Sequence, residues 1–298
     1  MNATTAASDR DGDRLAAGTH MGVVDLRVSD LPGVLAFYTD GVGLVPLDEE
    51  RGIVTLGLGT RPVLTLTHAP DLRLPSRRDA GLFHTAIVFD DAAGLAASLY
   101  STLRRYSQLY QGSADHLVSR AFYFGDPEGN GVELYVDRPR SAWTWRATGV
   151  EMATLPLDPA EFLRENLRQD IAGGEAAPSG LLGTIGHVHL QVGDVPTARD
   201  FYVRTLGFDE TASMGRSALF VSAGGYHHHM AMNTWNSAGA GPRGATLGLG
   251  QVDILVPEAA ELEAVASRLR EKGVRPDDDG RTLLVRDPWE NLIRLSVG

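Results

Sequence analysis

Apolar and polar residues alternate along Val23-Val24-Asp25-Leu26-Arg27-Val28 and again along His187-Val188-His189-Leu190-Gln191-Val192, the period of a half-buried strand. Each run meets an aspartate, Asp30 or Asp194, suited to cap a helix. The helices reach Phe37-Tyr38 and Phe201-Tyr202, and they stop at Gly43-Leu44 and Leu206-Gly207-Phe208. Val23 and His187 are 164 positions apart, as are Asp30 and Asp194, so the chain repeats itself. A second pair of strands, His84-Thr85-Ala86-Ile87-Val88-Phe89 and Gln251-Val252-Asp253-Ile254-Leu255-Val256, leads into helices rich in alanine and leucine. Each of these units ends on a turn, Asp126-Pro127-Glu128-Gly129-Asn130 or Asp287-Pro288-Trp289-Glu290-Asn291, that feeds a last strand over 131–136 or 292–297.

The pattern predicts an α+β protein of four βαβββ modules at about 20–70, 82–138, 185–236 and 248–298. Modules one and two make a first half, 19–138, and modules three and four a second half, 183–298. The Pro-, Gly-, Ala- and Glu-rich stretch 139–182 reads as a linker with a short helix over 158–169. Residues 1–18 are small and polar and read as a disordered tail without the features of a signal or transit peptide.

Composition narrows the chemistry. With 38 acidic against 27 basic side chains the formal charge is −11, which repels nucleic acid and anionic membranes. There is no cysteine, so a metal must be held by His, Asp or Glu, and a thiol nucleophile is excluded. No segment approaches the roughly 20 apolar residues of a membrane span, and a cytoplasmic location is expected. A homo-oligomer is compatible with the sequence, which does not fix the oligomeric state.

Several motifs carry a resemblance to a known family. They are the strand-Asp-helix-Phe-Tyr pattern, Gly81-Leu-Phe-His84, Asp115-His116-Leu-Val-Ser119, Tyr123-Phe-Gly-Asp-Pro-Glu-Gly-Asn-Gly-Val-Glu133 and Tyr226-His-His-His-Met-Ala-Met-Asn-Thr-Trp235. From His20 to Gly298 the chain resembles the vicinal oxygen chelate superfamily, and within it the two-half extradiol ring-cleavage dioxygenases of the bacterial catechol 2,3-dioxygenase and glyoxalase-like type. The resemblance implies that modules pair into two open barrels whose metal ligands come from the first and last strands. The first-strand positions fall on Val23, His84, His187 and Gln251, and the last-strand positions on Glu133 and Arg294. If modules one and two paired, and three and four, the ligands would be split and neither barrel would have a complete site. Pairing two with three, and one with four, gathers His84, Glu133 and His187, and this is the arrangement expected. Two imidazoles and one carboxylate on one face suit Fe(II), or alternatively Mn(II), with positions left for a chelating aromatic diol and dioxygen.

By the same resemblance Tyr123 hydrogen-bonds the substrate oxygen, His228 is the acid/base residue with His227 and His229 as rivals, and His116 stabilises bound oxygen. If 226–229 is a strand, His227 and His229 share one face and His228 takes the other. His189 shares the face of His187 and is a site-lining candidate. His20, His68 and Glu290 read as surface residues, and Asp277-Asp278-Asp279 as a hairpin turn lacking calcium-loop spacing. The expected function is an extradiol dioxygenase for a catechol-like diol. A metal-dependent isomerase, lyase or transferase of glyoxalase type, or a metal-free sequestering protein, stands as the rival on the same fold.

Overall fold

The computed structural model describes residues 14–169 and 178–298. All four modules run strand, helix, then three strands. In the helices that follow module-opening strands, the capping aspartates act as their positions suggest. The Asp30 carboxylate accepts from Gly33 N at 3.1 Å, Asp91 from Gly94 N at 2.7 Å and Asp194 from Thr197 N at 3.0 Å, satisfying backbone donors that a helix leaves free at its start. Gly43 (φ 87°) and Gly207 (φ 98°) follow helices of modules one and three in the left-handed region, where a Cβ would be strained.

Two eight-stranded sheets result. In one, the first strands of modules two and three, Gly81–Phe89 and Gly183–Gln191, lie antiparallel at the centre, and each runs parallel to its own module's last strand, Gly131–Asp137 or Met230–Asn233. In the other, His20–Val28 of module one and Gly248–Val256 of module four form the same seam. Both sheets are curled and open, with Tyr110–Asp115 and Asp209–Ser213 as the edge strands of the first. The chain therefore pairs two with three and one with four. One continuous apolar core, including Leu26, Phe37, Phe89, Phe122, Val188 and Ile254, fills the space between sheets and helices.

Leu15 departs from the tail expected over 1–18. It is 5% exposed, and its N–H donates to Gly207 O at 2.8 Å, so burial of one leucine ties this stretch to module three. Residues 1–13 lie outside the described residues, as do 170–177 of the expected linker. The linker helix is Pro159–Asn166, shorter than 158–169. Asp158 caps it, Leu167 leaves the helical region and Phe162 is its buried anchor. Before it, the linker runs along the edge of module two, with Leu155 bridging to Asp115.

The one-four sheet carries a different set of side chains at the corresponding positions. At the last-strand position Arg294 projects a guanidinium that pairs with buried Asp253, its Nε 3.0 Å from Oδ1, while Gln251 Nε2 donates to the same oxygen at 2.7 Å. A tethered cation stands where module two has a carboxylate, and burial raises the Asp253 carboxyl although Arg294 pulls the other way. His20 and His68 are exposed.

Candidate metal centre

His84 stands on the module-two first strand, His187 on the module-three first strand and Glu133 on the module-two last strand. The strand register places Glu133 beside Ala86 on one side and Tyr123 on the other. The curl then brings three donor atoms together. Glu133 Oε2 lies 3.0 Å from His84 Nε2 and 3.1 Å from His187 Nε2, and the two Nε2 atoms are 3.3 Å apart. All three side chains are buried. Donors seated at right angles with bonds of roughly 2.1 Å would be about 3.0 Å apart, so this spacing fits one divalent ion held from one side.

The protonation states agree with that use. Burial alone would raise the Glu133 carboxyl, but the His187 and His84 imidazoles outweigh it and hold the group well below the ordinary carboxylate range. Burial pushes His187 down to about 4 despite the neighbouring carboxylate, leaving a neutral imidazole with a lone pair to give.

His187 is aimed by a partner that the sequence reading missed. Its Nδ1 faces the Tyr135 hydroxyl at 3.3 Å, and Tyr135 shares a 2.6 Å hydrogen bond with Tyr226. Gly186 makes room for this pair, since a Cβ there would lie 1.7 Å from the Tyr135 oxygen. Gly186→Ala is therefore expected to displace Tyr135, destabilising the protein by about 1–3 kcal/mol and weakening metal binding roughly 10–100-fold. Denaturant melts and metal competition against a chelator measure the two effects.

A cavity of about 770 Å³ opens over the three donors. His84, His187, His228, Tyr123 and the buried Phe220 line it, together with the half-exposed Trp235. The Tyr123 hydroxyl is 2.6 Å from His116 Nε2, and His116 Nδ1 is 2.7 Å from Ala153 O. Because a carbonyl only accepts, Nδ1 of His116 must carry a proton, and in the neutral ring that leaves Nε2 to accept from Tyr123. Burial, then the Glu133 charge, raises the Tyr123 phenol well above its ordinary value, so it remains protonated. His116 thus reaches the tyrosine, and it is the linker carbonyl of Ala153 that sets its tautomer.

The run Tyr226 to His229 is not a strand. Gly224 and Gly225 (φ 61° and 67°) turn the chain just before it, and the last strand begins only at Met230. Alternation therefore does not sort the three histidines; two of them pair with each other, His227 Nδ1 lying 2.9 Å from His228 Nδ1. His227 Nε2 meets Asp137 Oδ1 at 2.9 Å, and His229 Nδ1 meets Ser222 Oγ at 2.9 Å. His228 alone of the three lines the cavity, with its ring centroid 4.1 Å from that of His187. Burial first, then the surrounding histidines, lowers the His228 imidazole well below its usual value. His189 also lines the cavity, where Asn233 Nδ2 donates to its Nε2 at 3.0 Å.

These buried neutral imidazoles carry a stability consequence. Their folded values lie below the unfolded one, with His187 at about 4 and His229 at about 3, so the unfolded chain binds more protons as pH falls. The metal-free protein is expected to lose on the order of a few kcal/mol between pH 6.5 and about 4. Thermal melts across that range, with chelator present, should fall steadily with acidity.

The internal symmetry also tells what is missing. Two positions past His84, Ala86 is registered with Glu133, and two positions past His187, His189 is registered with Ala231. The counterpart of the carboxylate is thus a buried alanine, and the three donors have no fourth in module three.

The Glyoxalase/Bleomycin resistance protein/Dioxygenase superfamily model matches residues 20–134 and 184–295. The chain belongs to this superfamily. Within it, the chain is 37% identical over 276 residues to the catechol-2,3-dioxygenase of Bacillus subtilis (strain 168), covering 91% of this chain and 94% of that one. It is a catechol-2,3-dioxygenase-like member. Two solved structures share the fold at low identity. The CppA protein of Streptococcus pneumoniae superposes with a TM-score of 0.58 at 12% identity, over 94% of this chain and 99% of that one. Glyoxalase I of Zea mays gives 0.52 at 18%, over 94% and 92%. Among the described residues of this superfamily member, no helix is long and apolar enough to cross a membrane.

Proposed function

We propose that this chain is an extradiol ring-cleaving dioxygenase acting on a catechol-like aromatic diol, with one non-haem Fe(II) held by His84, Glu133 and His187. The observation that carries the reading is the set of two imidazoles and one carboxylate with alanine at the fourth symmetry position. Three donors leave room for a chelating diol and dioxygen together, whereas Ala231 supplies no fourth ligand of the kind the isomerase reading calls for. The name of the Bacillus subtilis relative supports the same substrate class. Mn(II) is the alternative ion, and a cytoplasmic location accords with the sequence.

When bound, the metal supplies a Lewis-acidic, redox-active centre that gathers diol and oxygen. The protein does the rest. His228, neutral and buried beside His187, accepts a phenolic proton from the diol and returns one later. Tyr123 stays protonated and can turn its O–H from His116 to a substrate oxygen, with His116 as the residue that positions it. The aromatic walls, Phe220 and Trp235, hold the ring and limit water. A metal-free sequestering role leaves Glu133 as a buried carboxylate with no task, at a cost of burial that a ligand pocket does not require.

The test is oxygen uptake by protein loaded anaerobically with Fe(II) or Mn(II) and then given a panel of catechols. Uptake that needs both metal and a vicinal diol supports the proposal. Turnover of hemithioacetals without oxygen consumption would replace it with the isomerase reading.

A further inference from the structure

The barrel without metal has a cavity of its own. It measures about 210 Å³ and is lined by Arg27, Arg243, Arg286, Glu290 and the backbone at Gly244 and Gly250. Arg27 lies at the end of the module-one first strand, 164 positions before Gln191, which lines the metal cavity. By the repeat, Arg27 thus lines the one-four cavity at the position where Gln191 lines the two-three cavity.

Three guanidiniums converging in a chain of net charge −11 call for an explanation. Among the described residues, neither Arg27 nor Arg243 has a carboxylate at ion-pair distance, and Arg286 has only Glu290, with Nε 3.5 Å from Oε2. Neither forms an ion pair, and the carboxylates that act on them at longer range, Asp25 on Arg27 and Asp287 on Arg243, are not among the lining residues of the cavity. Arg243 is held in place, its guanidinium donating to Leu249 O and its backbone N–H to Trp289 O at 3.1 Å. Burial, then the charge of Arg27, disfavours the Arg243 cation; Asp287 offsets part of this and Arg286 adds to it. Like charges gathered around a hollow, with Arg243 held by Leu249 O and Arg286 by Glu290, are arranged for something negative to enter.

Glu290 adds an independent sign. It sits in the left-handed region (φ 65°) at the turn position where module two has Gly129 (φ 87°). Glycine takes that conformation freely and glutamate does not. The glutamate stands there against backbone strain, and its side chain pairs with Arg286 at the cavity, with Arg286 Nη1 also donating to Glu290 O at 3.2 Å.

We propose that this cavity binds a small oxyanion, phosphate or a dicarboxylate, by charge-assisted hydrogen bonds from Arg27, Arg243 and Arg286. The site is separate from the metal centre and does not depend on the ring-cleavage reading.

The experiment is isothermal titration of the full chain with inorganic phosphate and, separately, with succinate, at an ionic strength fixed with sodium chloride. One saturable site with Kd on the order of 0.1–1 mM is expected for at least one of them. Arg27→Gln and Arg286→Gln should each weaken it about tenfold or more, with an anion-free Tm near that of the parent showing that the fold survives. Phosphate alone marks a phosphoryl-type ligand, and succinate alone a carboxylate. The absence of a saturable site for both anions overturns the proposal, as does binding that neither substitution changes.

Discussion

Glu133→Ala is expected to leave the protein without bound metal and without ring-cleaving activity. Glu133 is the one anionic donor in the triad, and its Oε2 touches both histidine Nε2 atoms at 3.0 and 3.1 Å. Removing it leaves two imidazoles and no anionic donor, and affinity should fall roughly a thousandfold or more, beyond the 10–100-fold that loss of a supporting residue costs. Ala231 cannot substitute, because it offers no donor from the symmetric strand. His84→Ala and His187→Ala should behave alike, although they stand in different halves of the chain. Metal content by mass spectrometry after equal loading checks all three. A companion, Glu133→Gln, separates function from folding. The carboxylate is paired with two imidazoles and held well below its ordinary range, so its loss is expected to lower the metal-free Tm as well; a cooperative melt of the metal-free variant shows that the protein still folds while metal binding is lost.

The second large effect is expected at His228. His228→Gln should keep its metal and lower kcat by roughly 10²–10⁴, the range for loss of a general acid/base, with KM little altered. The geometry distinguishes it from its neighbours. His229 is tied to Ser222 and His227 to Asp137, and neither lines the cavity, whereas His228 packs against His187 within it. His229→Gln should therefore cost stability more than turnover. Single-turnover kinetics on loaded protein, alongside metal analysis, check the pair; equal losses of kcat at His228 and His229 would remove the distinction.

Much of this architecture was legible because its signals are local and repeated. An aspartate at the end of a strand, a Phe-Tyr pair seven residues on and an Asp-Pro-X-X-Asn turn each state a short-range backbone need, and the repeat multiplies them. The pairing of modules was legible for a different reason: His84, Glu133 and His187 make sense only in one barrel. What escaped depends on contacts between segments far apart in the chain. Tyr135, Tyr226 and Gly186 form one packed unit behind His187, yet no local pattern announces it. The Ala153 carbonyl that fixes His116 comes from the linker, which composition described only as a connection. The histidine run defeated strand alternation because Gly224 and Gly225 bend the backbone just before it, and period-two reasoning fails where there is no strand. Arg294 reads from the sequence as a last-strand position that carries a cation in place of a carboxylate, and its partner Asp253 across the sheet appeared only with the fold.

The measurement that bears most directly on the proposed activity is the structure of the product formed from a substituted catechol under ¹⁸O₂ by the Fe(II)-loaded protein. The account predicts a ring opened beside the two hydroxyls, carrying both labelled oxygen atoms. An unopened ring, or a product with no label from ¹⁸O₂, would contradict it.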